Sequence, residues 1–363
     1  MKKICTVVGA RPQFIKLAVV SRVLRKEFQE VLVHTGQHYD HNMSEVFFEE
    51  MDIPKPDYNL GISGGSHGQM TGQMIIEIEK VLIKEKPDML LVFGDTNSTL
   101  AAALAAVKLC IPICHVEAGL RLGSIDNPEE ANRIVTDHVS SLHLVCTPSG
   151  VDFLKKEGFT DSVHLVGDPM YDAFCYYTKL LDGSELKEVV DFQGNRINVP
   201  RVFYYMTCHR QENTDMDEKL QNIFEAMESL DAPTIYPVHP RNHNRAERLC
   251  KEYGYQKIIL TQPVGYKASI ALVNRASKIV TDSGGLQREA FFAQRSCVTI
   301  MDFVVWPETM KNCCNQLAKP DREDILAKLS QPVMFDSSYQ PFGDGHSAEK
   351  IVGHIKDFLR SRQ

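Results

Sequence analysis

Apolar residues in this chain fall into short continuous runs, each closed by glycine or a charged residue and followed by a stretch of helical periodicity. The runs 4–8, 31–35, 89–93, 111–116, 142–147 and 163–166 have the length and continuity of parallel strands covered on both faces. Between them, Phe14, Leu17, Val20, Leu24 and Phe28 recur near helical spacing behind Pro12, which suits a first helical turn. Residues 70–85 form a second helical pattern with Lys84 and Lys86 at its end, and an Ala-rich pattern covers 98–109. Pro128 opens another helix that runs to about residue 140. A short helix is expected over 42–51, and 54–66 is a loop rich in Pro, Gly and Ser. A polar, irregular segment over 181–200 reads as the entry to a second domain. The rhythm then restarts with strands at 202–206, 234–236, 258–260 and 279–281, helices at 217–230 and 269–276, and a last amphipathic helix at 351–358. Strand and helix alternate in both halves, so the pattern predicts an α/β protein of two Rossmann-like, doubly wound domains. They are placed at 1–168 and 169–347, with a C-terminal helix, 348–363, returning to the first.

Length supports this division, since 363 residues exceed one ordinary core and suit two domains of about 150 residues. The net charge of −7 is spread among mixed acids and bases. No basic patch therefore argues for nucleic acid or an anionic membrane, and an anionic ligand would need local cations. Ten cysteines are scattered without a C-x-x-C pair or zinc-like spacing, as in a reduced, cytoplasmic protein. The apolar run 4–10 stops at Arg11-Pro12, too short for a signal segment, and 100–107 is too short and Ala-rich to span a bilayer.

Candidate chemistry gathers where strands end. In an open α/β sheet, ligands bind at the carboxyl edge, beside helix starts whose unpaired N–H groups suit an anion. Arg11 and Lys16 follow the first strand, where they either meet a phosphate or sugar or are solvated helix-start charges. Gly94-Asp95-Thr96 ends one central strand and Glu117-Ala118-Gly119 the next. An aspartate after a strand is commonly a helix cap, but two successive strands that each deliver a carboxylate to one edge favour acid/base chemistry. Glu129, on the first turn of a helix, is a third acid near that edge, where a glutamate is also ordinary helix chemistry. In the second half, the stretch 278–292 reads as a strand, a turn containing Ser283, Gly284 and Gly285, and a helix opening at Leu286. A phosphate fits that turn, and Glu289 could accept hydrogen bonds from two sugar hydroxyls. The alternative is an ordinary strand-to-helix turn.

Taken in order, Gly9-Ala10-Arg11-Pro12 with Lys16, Thr35-Gly36-Gln37-His38, Gly94-Asp95-Thr96, the run from His115 to Arg121, Pro128-Glu129-Glu130-Ala131-Asn132-Arg133, His209-Arg210-Gln211-Glu212-Asn213, Thr281-Asp282-Ser283-Gly284-Gly285 and Gly343-Asp344-Gly345 carry a resemblance over nearly the whole length. The chain resembles the bacterial non-hydrolysing UDP-N-acetylglucosamine 2-epimerases. Its first third is similar to a branch that includes epimerases of UDP-2,3-diacetamido-2,3-dideoxy-glucuronate. The resemblance implies a glycosyltransferase-B-like fold, with the active site in the inter-domain cleft of a homodimer's subunit. It implies that Arg11, His209, Arg210, His239, Ser283, Gly284, Gly285 and Glu289 hold UDP. Asp95, Glu117, Glu129, Lys16 and His209 would be catalytic, and neither metal nor nicotinamide would be needed. The C2 proton of a 2-acetamido sugar is not acidic, so family members eliminate UDP together with that proton to give 2-acetamidoglucal. They then add UDP back with the proton on the other face.

Two features stand apart. Where the family carries an Arg and a Thr-Glu pair after the Ser-Gly-Gly helix, this chain has Met301 and Val304-Val305. Gln37 and His38 match part of a regulatory substrate site of some relatives without its surrounding polar residues, so no such regulation is assigned. Competing readings are an epimerase of the diacetamido-glucuronate, a glycosyltransferase of the same fold, and a UDP-sugar-binding protein that has lost catalysis.

Overall fold

The computed structural model describes residues 1–36, 47–181 and 186–362. Gln37, His38 and the first half of the helix expected over 42–51 lie outside the described residues. The chain divides into two compact units, Met1–Cys175 with Gln340–Gln363, and Tyr176–Tyr339.

In the first unit a seven-stranded, all-parallel sheet is built from β1 (Lys3–Val8), β2 (Gln29–His34), β3 (Tyr58–Asn59), β4 (Met89–Phe93), β5 (Ile113–Val116), β6 (Leu142–Val145) and β7 (Val163–Leu165), in the order β3-β2-β1-β4-β5-β6-β7. Every residue of β4 is buried, which explains its uninterrupted apolar sequence. The helices that matter below are α1 (Arg11–Glu27), α2 (His67–Glu85), α3 (Asn97–Lys108) and α4 (Pro128–Val139). Ser66, Thr96 and Asn127 cap α2, α3 and α4 by accepting N–H bonds from Gln69, Thr99 and Glu129. The Ala-rich α3 lays Ala101, Ala102, Ala105 and Ala106 into the core, where small side chains let the helix approach closely.

The second unit repeats the order in six parallel strands: β10 (Tyr204–Thr207), β11 (Thr234–Pro237), β12 (Ile258–Thr261), β13 (Ile279–Thr281), β14 (Cys297–Ile300) and β15 (Asn315–Ala318), arranged β12-β11-β10-β13-β14-β15. Before them an antiparallel hairpin, β8 (Glu188–Val190) with β9 (Arg196–Asn198), occupies part of the segment expected to be irregular. Two three-residue strands, with only Val189 of the six residues buried, carry too short an apolar signal to mark a strand. The helix after β13, α5 (Gly284–Phe292), begins two residues earlier than Leu286 because Ser283 rather than Gly285 is its cap. The last helix, α6 (Ser347–Ser361), belongs to the first unit and joins α1 through Lys356 and Glu27, 2.5 Å apart. Among the described residues no helix is long and apolar enough to cross a membrane.

Candidate active site

Register sets the chemistry of the first unit. Phe93 pairs with Val116, so the turns that follow β4 and β5 leave the sheet side by side, joined by Gly94 N–H donating to the Val116 carbonyl at 3.0 Å. Glu117 takes φ 71, a left-handed conformation costly for any residue with a Cβ and concentrated at functional sites. Its carboxylate forms an ion pair with Lys16 of α1, and both residues are buried, at 5% and 2% exposure. Gly94 closes over this pair: a Cβ there would lie 3.5 Å from both Glu117 Oε1 and Lys16 Nζ. Asp95 forms its own ion pair with Arg133, a fully enclosed residue of α4, and Arg133 Nη1 also donates to Glu130 Oε2 at 3.2 Å. The amide nitrogen of Asn132 holds the Asp95 carbonyl at 2.9 Å and Asn97 Oδ1 at 3.1 Å.

Two carboxylates, each beside its own cation, are therefore presented from adjacent strand ends. Glu129 is exposed on the first turn of α4, whereas its neighbour Glu130 is buried and accepts from the N–H groups of Leu122 and Gly123 at 2.9 and 3.1 Å. One residue along a helix rotates the side chain by about 100°, enough to separate these two environments. Arg11 begins α1, its guanidinium 4.5 Å from the centre of the Phe47 ring. The N–H groups of the first βα turn do not wait for a phosphate. Gln13 Oε1 accepts from Gly9 and Ala10 at 2.8 and 3.0 Å, while its amide nitrogen reaches back to the Phe93 carbonyl at 2.8 Å.

In the second unit Thr207 pairs with Thr281, so Cys208-His209-Arg210 and Asp282-Ser283 emerge together. Asp282 is fully buried and organises both turns. It accepts from the backbone N–H of His209 and Arg210 at 2.9 and 2.8 Å, and its Oδ1 lies 2.9 Å from His209 Nδ1. Burial pushes its carboxyl up, yet the His209 hydrogen bond and charge together with the backbone donors bring it down to about 2. Arg210 Nε donates to the Asp282 carbonyl at 2.9 Å. His239 is exposed on the neighbouring turn, which meets the first through a bond from Arg241 to the His209 carbonyl. Ser283 accepts the N–H of Leu286 at 3.4 Å, and helix geometry leaves the N–H groups of Gly284 and Gly285 without intrahelical acceptors. Glu289 lies one turn further on and is buried.

A family description, UDP-N-acetylglucosamine 2-epimerase, matches residues 22–356. The chain belongs to this family. It is 46% identical over 361 residues to the UDP-N-acetylglucosamine 2-epimerase homolog of Methanococcus maripaludis, covering 98% of this chain and 99% of that protein. It is 43% identical over 363 residues to the UDP-2,3-diacetamido-2,3-dideoxy-D-glucuronate 2-epimerase of Pseudomonas aeruginosa, covering 97% and 99%. Among solved structures, the Methanocaldococcus jannaschii UDP-GlcNAc 2-epimerase in complex with UDP-GlcNAc and UDP superposes with a TM-score of 0.87 at 38% identity, covering 98% of this chain and 99% of that one. The fold is thus the glycosyltransferase-B-like pair of Rossmann-like units found in these 2-epimerases.

The loop after β14, which carries Met301, Val304 and Val305, has side chains that divide by position. Met301 is buried, Val304 is 37% exposed, and Val305 packs on the Ser-Gly-Gly turn, 3.5 Å from where a Cβ on Gly284 would sit. The loop's aromatic residues hold two cations: Arg288 lies 4.1 Å from the centre of the Trp306 ring and Arg210 5.5 Å from that of Phe303. Sequence reasoning did not single out Arg133, Asp282 or Gln13, because their roles depend on partners from other elements. Glu117, Cys146 and Asp168 bring one ligand-type atom each within 4.8 Å of one another. The Lys16 ammonium already stands against Glu117, so a cation added there would meet a like charge.

Proposed function

We propose that this protein is a UDP-N-acetylglucosamine 2-epimerase, an isomerase that interconverts UDP-GlcNAc and UDP-ManNAc. The observation that carries the reading is the pair of cation-matched carboxylates, Asp95 with Arg133 and Glu117 with Lys16, on adjacent strand ends of a chain in this family. In the proposed reaction one carboxylate takes the C2 proton, the C2–H electron pair forms the C1=C2 bond of 2-acetamidoglucal, and the C1–O pair leaves with UDP. Re-addition of UDP to C1, with a proton delivered to the opposite face of C2, completes epimerisation without net redox change. Proton transfer in both directions asks for groups on two faces. Asp95 and Glu117, with Glu129 and His209, are the candidates, and Arg133 and Lys16 stand beside the first two as their cationic partners. The second unit is assigned the nucleotide: Ser283, Gly284 and Gly285 for phosphate and Glu289 for ribose, with Arg210 and His239 nearby; Arg11 is a further UDP-binding candidate. Those assignments draw support from the open helix start and from a relative whose structure holds UDP-GlcNAc and UDP.

The test is proton NMR of UDP-N-acetylglucosamine incubated with the protein in D2O. Deuterium should appear at C2 of both epimers, and epimerisation with full retention of the C2 hydrogen would sink the elimination route. A second substrate is favoured by the 43% identity to the diacetamido-glucuronate epimerase together with the altered loop at Met301, Val304 and Val305. A panel of UDP-GlcNAc, UDP-ManNAc and the diacetamido-glucuronate, scored for interconversion and UDP release, decides between them. UDP binding without turnover of any member would favour the lapsed reading, and UDP release that requires an acceptor the glycosyltransferase. We assign the protein to the cytoplasm, as a supplier of an activated sugar for polysaccharide synthesis. Ten unbridged cysteines, six of them buried, suit a reducing compartment. A homodimer is the proposed assembly, supported by Ile76 and Ile83, more than half exposed and seven residues apart on α2. Light scattering that returned a monomer would remove that part.

A further inference from the structure

His115 lies in β5, two residues before Glu117, and none of it reaches solvent. Its Nδ1 is 2.7 Å from Asp137 Oδ1 and its Nε2 is 2.7 Å from the Gly94 carbonyl oxygen. A carboxylate and a carbonyl both accept, so each ring nitrogen must donate and the imidazole carries hydrogen on both. The second oxygen of Asp137 accepts from the Gly119 N–H at 3.1 Å and from Arg121 Nη1 at 2.7 Å. Arg121 in turn forks onto Glu157 with two bonds of 2.7 Å. Burial pushes the Asp137 carboxyl up, but the charges and hydrogen bonds of His115 and Arg121 bring it down to about 2. One unbroken set of bonds thus runs from the peptide preceding Asp95, through the imidazole, to the glycine two residues beyond Glu117. Asp137 is also one helical turn from Arg133 on α4, so the helix that grips the Asp95 side chain grips its backbone as well.

The geometry points to His115 as a positioning residue that ties the Gly94 peptide, and with it the Asp95 turn, to β5 beside Glu117, with Asp137 orienting its ring. This rests on the epimerase reading, in which those carboxylates exchange protons with the sugar. This tie has mechanical work to do, because Gly94 at φ 63 is a flexible residue and Glu117 at φ 71 is a strained one, and both would relax without it. His115 touches no reacting atom and acts through the Gly94 peptide. A shift of about 1 Å in an acid/base group can cost on the order of 10²-fold in rate, while substrate binding by other residues is unaffected.

Two conservative variants separate the ends of the bridge. In His115→Asn the side-chain amide stands where Nδ1 stood and keeps the Asp137 bond. In His115→Gln the longer side chain carries its amide to the Nε2 position and keeps the Gly94 bond. H115N should lose kcat by about tenfold to a hundredfold with KM and UDP affinity unchanged, and H115Q should retain most of the wild-type kcat. Equal kcat losses in the two variants, or losses that follow their melting temperatures, would overturn the positioning role. A second readout needs no substrate: in 15N-histidine spectra of the wild type, one histidine should show two ring N–H groups protected from exchange, both absent in H115Q. A His115 ring with a single N–H, identified by the signals lost in H115Q, would equally overturn the inference. Wild-type protein that turned over no UDP-sugar would instead remove the epimerase reading, with the spectrum still judging the bridge.

Discussion

Replacing Lys16 by methionine should destabilise the protein by about 3–5 kcal/mol, the usual cost of removing one partner of a buried ion pair. Methionine nearly conserves the volume, so a cavity contributes little and the loss is electrostatic. Lys16 and Glu117 are only 2% and 5% exposed, which leaves little solvent to take over from the ammonium. Asp168 raises the cost further. Its carboxylate oxygen lies within 4.8 Å of that of Glu117, and two charges at this separation repel by about 3.5 kcal/mol at an effective dielectric near 20. Proton uptake by one of the two acids caps the penalty, so the deficit of K16M should shrink as pH falls. The second mutation of the cycle, Glu117→Gln in the K16M background, removes the stranded charge and should restore about 2 kcal/mol or more. Urea denaturation at neutral pH, followed by far-UV circular dichroism, gives both values. Trp306 fluorescence, recorded alongside, follows the second unit separately, because the chain has a single tryptophan and it lies there. A K16M protein within about 1 kcal/mol of wild type, or a double variant no more stable than the single one, would refute the reasoning.

Other perturbations reach other parts of the molecule. Asp95→Asn should lower turnover by roughly 10²-fold or more with UDP affinity hardly changed, as kinetics and calorimetry on one preparation would show. Glu289→Ala and Arg11→Ala should each weaken UDP binding by about 1.5–3 kcal/mol, the range for hydrogen bonds to charged groups; unchanged affinity in both would move the nucleotide elsewhere. Asp282 falls from an ordinary 3.8 to about 2 in the folded protein, so its stabilisation is present above pH ~4 and is lost as pH falls through about 2. Asp282→Asn should therefore cost about 2 kcal/mol at neutral pH, with the gap to wild type closing in acid; a gap that is constant with pH would contradict the assignment. At Gly9 an added Cβ would lie 2.1 Å from Ser98 Oγ and 2.2 Å from Thr35 Oγ1. Gly9→Ala should thus destabilise by about 1–3 kcal/mol through overpacking, and a melting temperature equal to wild type would show that these hydroxyls yield.

The placement of the candidate groups was legible in the chain because it follows from local rules. A short continuous apolar run between turn residues reads as a strand buried on both faces, and what closes it lies at the sheet edge, so Asp95, Glu117 and Ser283 could be put at carboxyl ends without a fold in hand. The ordered motifs also carried the family, since each depends on residues adjacent in sequence. Only the tertiary structure decided who faces whom. Lys16 meets Glu117 across 101 positions and Arg133 meets Asp95 across 38, and no periodicity encodes such pairs. It also decided between neighbours, burying Glu130 and exposing Glu129, because the angle at which α4 packs selects one face of its first turn. Gln13 and Asp282 look ordinary in the sequence, a helix-start amide and an acid after a strand. Their importance comes from bonds that tie one βα turn to the next, and those exist only once parallel strands are in register. Strand pairing is the step at which distant segments become neighbours, so local pattern could say which edge each group occupies, and packing alone could say what each group does there.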